Sequence, residues 1–215
     1  MKELSLNAIE LIVKAMADTA IANEKYLSDL DGVVGDADFG LSLTTGFQVV
    51  LNQWSSIDRS SISSFLINIS TIIMNNVGGV SGPIWGTAFM RAGIKAKDKT
   101  SITLVDLEAM LRSAIEGIMA LGGAKLGDKT LLDAIAPATD KIAEWADTKP
   151  DDFINAFQAA ADAATKTIES TRNLVAKRGR QSYTGERSKG TLDPGIVAVA
   201  IMSQAAAKVL KETYK

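Results

Sequence analysis

Residues 156–164 read AFQAAADAA, with only Gln158 and Asp162 polar. Alanine has the highest helix propensity. Small apolar side chains here cover more than one stripe of a helix, which suits close packing between antiparallel neighbours in a bundle. Outward from this stretch, apolar residues recur at helical spacing almost throughout, only four prolines interrupt, and strand-like alternation is scarce. The sequence predicts one all-α domain over residues 1–215.

About eight helices are expected. Ser5 opens the first, 5–28, and 41–54, 61–77 and 82–97 follow. Thr103 stands three residues before Asp106 as a capping pair and starts a fifth that runs to 120. Helices over 129–147 and 150–176 come next. Asp193 as cap, with Pro194 at the first helical position, begins the last. The first twenty residues carry Glu3, Glu10, Lys14 and Asp18 among their apolar positions. They fit neither a secretion signal nor a membrane span, so a cytoplasmic protein is expected.

The net charge of −2, with no run of like charges, argues against a grip on nucleic acid or on an anionic membrane. The chain has no cysteine, which excludes disulfides and thiolate chemistry. It also has no histidine, which excludes a Ser-His-Asp triad, an imidazole metal ligand and a phosphohistidine on this chain. Acid, base and metal work falls to Asp, Glu, Lys, Arg and Tyr.

Glycine and polar residues concentrate in four connections: LDGVVGDADFG (30–40), NNVGGVSGP (75–83), LGGAKLGDKT (121–130) and KRGRQSYTGERSKGTLDPG (177–195). If the helices alternate up and down, all four lie at one end of the bundle. In the first, Asp31, Asp36 and Asp38 crowd into a glycine-rich loop, where three carboxylates repel unless a cation sits among them. The spacing is not that of an EF-hand, since Leu41 and Phe47 stand where Gly and Glu would be counted from Asp36. Three carboxylates without a full oxygen cage suit Mg²⁺ shared with substrate phosphates. The competing reading makes them turn and cap residues. The glycines before Ser81 present backbone N–H groups at a helix start, a seat for phosphate or simply a tight turn. Among Lys177, Arg178, Arg180 and Arg187, one arginine turned inward could hold a diphosphate while the others stay solvated. For Asp128 and Lys129, a bland reading as helix cap and solvent-facing charge weighs evenly against a functional one.

In order and spacing, LDGVVGDADFG, GGVSGP, GDKT and above all SYTGERSKGTLDPG resemble the nucleotide-binding L subunits of bacterial dihydroxyacetone kinase, over essentially the whole chain. The resemblance implies an eight-helix antiparallel up-and-down barrel with ADP or ATP and two Mg²⁺ ions at one rim. It implies metal ligation by Asp31, Asp36 and Asp38, and a phosphate loop at Gly78, Gly79, Val80 and Ser81. It further implies nucleotide-pocket positions at Gly122, Leu131, Asp193, Pro194 and Gly195, and a functional arginine at Arg180. Phe39 and Ser42 stand where the family has a histidine and an asparagine near the phosphates. The implied function is phosphoryl transfer from Mg-bound nucleotide to dihydroxyacetone on a partner kinase subunit. In the phosphotransferase-system form, ADP stays bound and a phosphohistidine-carrying subunit recharges it. The alternatives are a free-ATP kinase subunit for a related ketose or sugar alcohol, and a nucleotide-sensing module that docks on a transcription regulator.

Overall fold

A computed structural model describes residues 2–214. Its helices are α1 (Leu6–Ala22), α2 (Glu24–Gly32), α3 (Phe39–Asn52), α4 (Ile62–Asn76), α5 (Ser81–Ala96), α6 (Leu104–Gly122), α7 (Leu132–Thr148), α8 (Phe153–Ser170) and α9 (Pro194–Thr213). Two 3-10 helices, Trp54–Ser56 and Arg180–Ser188, lie in connections. The strands β1 (Leu4–Ser5) and β2 (Ser101–Ile102) pair antiparallel.

Local chemistry sets several boundaries. Ser5, Ser61 and Asp193 each accept an N–H from the first turn of α1, α4 and α9, and Thr103 with Asp106 forms a reciprocal capping box on α6. The expected first helix is in fact two. Asn23 breaks it: its backbone N–H reaches back to Thr19 and Ala20, and its side-chain amide donates to the Thr19 carbonyl at 2.8 Å. The chain then resumes as α2, which carries Asp31 into a helix and out of the expected loop. α3 starts two residues before expectation, at Phe39. α8 ends at Ser170, six residues short of the expected 176. Beyond it the Arg172 carbonyl accepts the Gly190 N–H at 3.0 Å, so the chain turns back.

Each long helix packs on its sequence neighbours, from α3 through α4, α5, α6, α7 and α8 to α9, and α9 and α3 both pack on α1. The ring is closed. Consecutive staves pack side by side, through short links except for the long α8–α9 connection, and so alternate in direction: this is an up-and-down barrel of eight staves, with α2 extending the first. Buried apolar residues from every stave form one core. Phe47 meets Trp85 and Phe89 edge-on, at centroid distances of 6.3 and 6.4 Å. An apolar cavity of about 250 Å³ runs through the interior. α9 is long and apolar enough to cross a membrane, but 61% of that window is buried against the other staves, and its composition is that of a core helix.

Candidate functional site

The alternation brings the connections α2–α3, α4–α5, α6–α7 and α8–α9 to one rim. Asp31, 7% exposed, ends the run of α2 beneath the first connection. Its Oδ2 accepts the N–H groups of Asp38 at 3.1 Å and Phe39 at 3.4 Å, so the loop folds over its carboxylate. Gly35 permits this fold: a Cβ there would lie 2.2 Å from Asp31 Oδ1. Ala37 takes a left-handed φ of 62° to complete the turn. As a result, carboxylate oxygens of Asp31, Asp36 and Asp38 all lie within 4.8 Å of one another. Burial first, then the Asp36 and Asp31 carboxylates, push the Asp38 pKa up, and only Arg180 opposes them. Arg180 reaches across from the fourth connection, with Nη1 3.0 Å from Asp36 and Nη2 3.9 Å from Asp38. A cationic side chain thus already lies against two of the three acids, where a hard divalent ion coordinated by oxygen would be favoured. The donor set fits Mg²⁺.

The second connection presents Gly78, Gly79 and Val80, all exposed, at the start of α5. Gly79 has a φ of 61°, and a Cβ there would meet nothing within 4 Å. Val80 at the cap position offers no side-chain acceptor, so the first turn of α5, beginning at Ser81, keeps its positive end open to an anion. A Cβ on Gly78 would lie 3.7 Å from Ser42 Oγ, which sets Ser42 against this loop. Phe39 behaves differently: its half-buried ring packs against the core, and only its N–H turns to the acids.

Between the third and fourth connections, Leu131 is buried beside Gly195, where a Cβ would stand 3.3 Å from that of Leu131. Pro194 is buried as well, while Gly122 is exposed with open space above it. Asp193 Oδ1 accepts the Ile196 N–H at 2.8 Å, and Oδ2 accepts Gln181 Nε2 at 2.7 Å. Burial raises the Asp193 pKa to about 6, against the pull of these bonds and of Lys129. Gln181 Oε1 is buried with no hydrogen-bond partner among the described residues, an acceptor left unspent beside this pocket.

At two residues of the third connection the bland alternative fails. Asp128 does not cap a helix, since α7 begins only at Leu132; Asp133 accepts the Thr130 and Gly127 N–H groups there instead. Asp128 is buried and accepts from the Lys125 N–H at 2.9 Å and from Arg178 Nε at 3.2 Å. Burial alone would raise its pKa, but these bonds outweigh it and hold the carboxyl below the usual range. Lys129 is not a solvated charge. It is 1% exposed, and its ammonium donates into the fourth connection. Gln181 is the participant that sequence reasoning missed, and Lys129 is one whose role it left open. The only signal for them was their place in the polar connections, because what distinguishes each is a partner far away in sequence.

Comparison with known proteins bears on the family and the fold. Residues 33–208 match the DAK2 domain. The chain is 34% identical over 97% of its length to all of the PEP-dependent dihydroxyacetone kinase, ADP-binding subunit DhaL, of Escherichia coli. It is 37% identical to the ADP-binding subunit DhaL of PEP-dependent dihydroxyacetone kinase 2 of Listeria innocua, over 79% of each chain. The native crystal structure of the C. freundii dihydroxyacetone kinase superposes with a TM-score of 0.73 at 25% identity, covering 92% of this chain and 33% of that one. The same enzyme in complex with AMP-PNP and Mg²⁺ gives 0.69. This chain therefore spans about a third of the C. freundii enzyme and the full length of the E. coli subunit. Sequence and fold agree over most of its length, and the chain belongs to the DAK2 domain family.

Proposed function

We propose that this chain, as a single unit over residues 1–215, is the nucleotide-binding subunit of a dihydroxyacetone kinase. The observation that carries the reading is the meeting of three carboxylates within 4.8 Å with Arg180 and the open start of α5 on one rim. Asp31, Asp36 and Asp38 would hold Mg²⁺, two ions by analogy with the family, and the metal would neutralise charge on the nucleotide phosphates. Gly78, Gly79, Val80 and Ser81 would seat a phosphate on backbone N–H groups, with Ser42 beside them. Arg180 would leave the aspartates to span the diphosphate, and Gly122, Leu131, Asp193, Pro194 and Gly195 would line the nucleoside pocket. Catalysis on this rim is positioning and charge neutralisation, with the acceptor hydroxyl supplied from outside.

A partner holding dihydroxyacetone fits the surface around the site. Val33, Leu41, Val80, Leu121, Leu126 and Tyr183 are six of the nine large apolar residues exposed among the described residues, and all surround these four connections. Relatives named as PEP-dependent, ADP-binding subunits support the phosphotransferase-system form, in which ADP is retained and a phosphohistidine subunit recharges it in the cytoplasm.

Calorimetry tests the site. The wild-type protein should bind ADP only with Mg²⁺ and retain it through gel filtration. Asp38→Asn should weaken that binding at least about a hundredfold, or roughly 2.7 kcal/mol. Without nucleotide it should melt no lower than wild type, because repulsion among the acids is relieved. Unchanged affinity in Asp38→Asn would overturn the metal assignment.

A further inference from the structure

Lys129 has a left-handed φ of 62°, which a lysine rarely adopts, and a side chain 1% exposed. The turn aims its ammonium at four oxygens: the carbonyls of Arg172 at 3.0 Å, Leu174 at 3.2 Å and Ser188 at 2.6 Å, and Thr191 Oγ1 at 3.4 Å. Two of these lie where the α8–α9 connection leaves α8, and two where it returns to α9. The same crossing is tied by the Gly190 N–H on the Arg172 carbonyl at 3.0 Å and by the Ala176 N–H on Ser188 Oγ at 2.9 Å. Everything between these feet, including Arg178, Arg180 and Gln181, is a long excursion with few apolar anchors. With no cation these converging oxygens would repel one another, with only the Gly190 N–H on the Arg172 carbonyl and the Thr191 hydroxyl on the Ser188 carbonyl left among the described residues as donors to them.

We infer that Lys129 is a positioning residue for the rim: its ammonium is a tethered internal cation around which the α8–α9 connection folds, and this fixes the loop that presents Arg180 and Asp193. Lys129 touches neither the three acids nor the α5 start. Its effect on nucleotide passes only through the loop, so the functional half of the inference rests on the proposed nucleotide site. A lysine suits the role because its compact point charge can satisfy several carbonyls at once, whereas a planar guanidinium cannot converge on them in this way.

The test uses the full chain. Lys177, Arg178 and Arg180 are trypsin sites inside the loop, so cleavage without nucleotide reports loop order independently of function. Lys129→Met keeps the apolar stem and removes the charge. It should speed cleavage at those sites at least tenfold while melting stays cooperative, and should weaken Mg-ADP binding at least tenfold. Lys129→Ala deletes the atoms of propylammonium, and millimolar propylammonium should restore both loop protection and ADP affinity, while tetramethylammonium should not. A loop still protected in Lys129→Met, or no rescue of Lys129→Ala, would overturn the inference. If neither variant folds, hydrogen exchange on the wild-type protein decides. The amides of residues 172–191 should be protected without nucleotide, and exchange as fast as in an open loop would overturn it. Wild-type protein that fails to bind ADP would sink the site assignment alone, leaving the loop result standing.

Discussion

Asp193 holds two jobs that pull against each other. As the α9 cap it wants a charge near the helix start, yet its surroundings desolvate that charge and raise its pKa to about 6. The folded protein thus holds this proton more tightly than the unfolded chain, where an aspartate titrates near about 3.9. The stability this gives is fully present below about pH 4 and lost as pH rises through 6. Asparagine keeps an acceptor for the Ile196 N–H without the titration. Asp193→Asn should therefore gain on wild type between pH 4 and pH 7, by at most about 3 kcal/mol at about 1.4 kcal/mol per unit. Urea unfolding of both proteins across that range checks it, and a difference independent of pH would count against the raised pKa. The same neighbourhood shows what a sequence can tell at this scale. Asp193 as cap was legible because its partner is three residues away. Lys129 was not, because its partners lie beyond position 170, and a lysine after a Gly-Asp turn reads locally as a solvent charge.

Between elements, the closest approach near the site is that of α2 and α3 at Gly40. A Cβ there would lie 2.0 Å from the Glu24 carbonyl oxygen and 2.6 Å from Ser28 Oγ. Backbone cannot rotate aside, so Gly40→Ala must push the two helices apart, at a cost of about 1–3 kcal/mol. Asp31 lies in the last turn of one of these helices and Phe39 begins the other. The variant should melt several degrees lower and bind Mg-ADP more weakly, by thermal unfolding and calorimetry. An unchanged melting temperature would mean that the approach is looser than described. Helix starts were legible at the caps Ser5, Ser61, Thr103 and Asp193, whereas Asp152, the cap of α8, lies inside the expected 150–176 helix. The break at Asn23 has no Gly or Pro to announce it and depends on one amide competing for the Thr19 carbonyl. The early end of α8 was hidden too. Leu174, Val175 and Ala176 continue the apolar spacing, but the Arg172 carbonyl is taken by the Gly190 N–H and the Lys129 ammonium instead of by a following helical turn.

At the scale of the molecule, up-and-down connectivity by itself sends alternate connections to the same end, which is why the rim was readable before any contact was known. Its apolar fringe was not, since exposure depends on how the loops fold. Tyr183, 90% exposed, sits on that fringe in the connection that carries Arg180. Tyr183→Asp should weaken association with the acceptor-holding subunit at least about tenfold, roughly 1.4 kcal/mol, while Mg-ADP affinity stays within about twofold. Co-sedimentation and calorimetry separate the two, and unchanged association would remove Tyr183 from the docking surface. The ring itself bears on biosynthesis. α9 packs on both α8 and α1, and turns Ile196, Val197 and Ala198 inward. A nascent chain therefore carries an unclosed gap until these last turns clear the ribosome, with the facing sides of α1 and α8 wet and adhesive in the meantime. A translation product cut short before Pro194 is not a smaller barrel but one missing a stave, a natural substrate for chaperones and proteases.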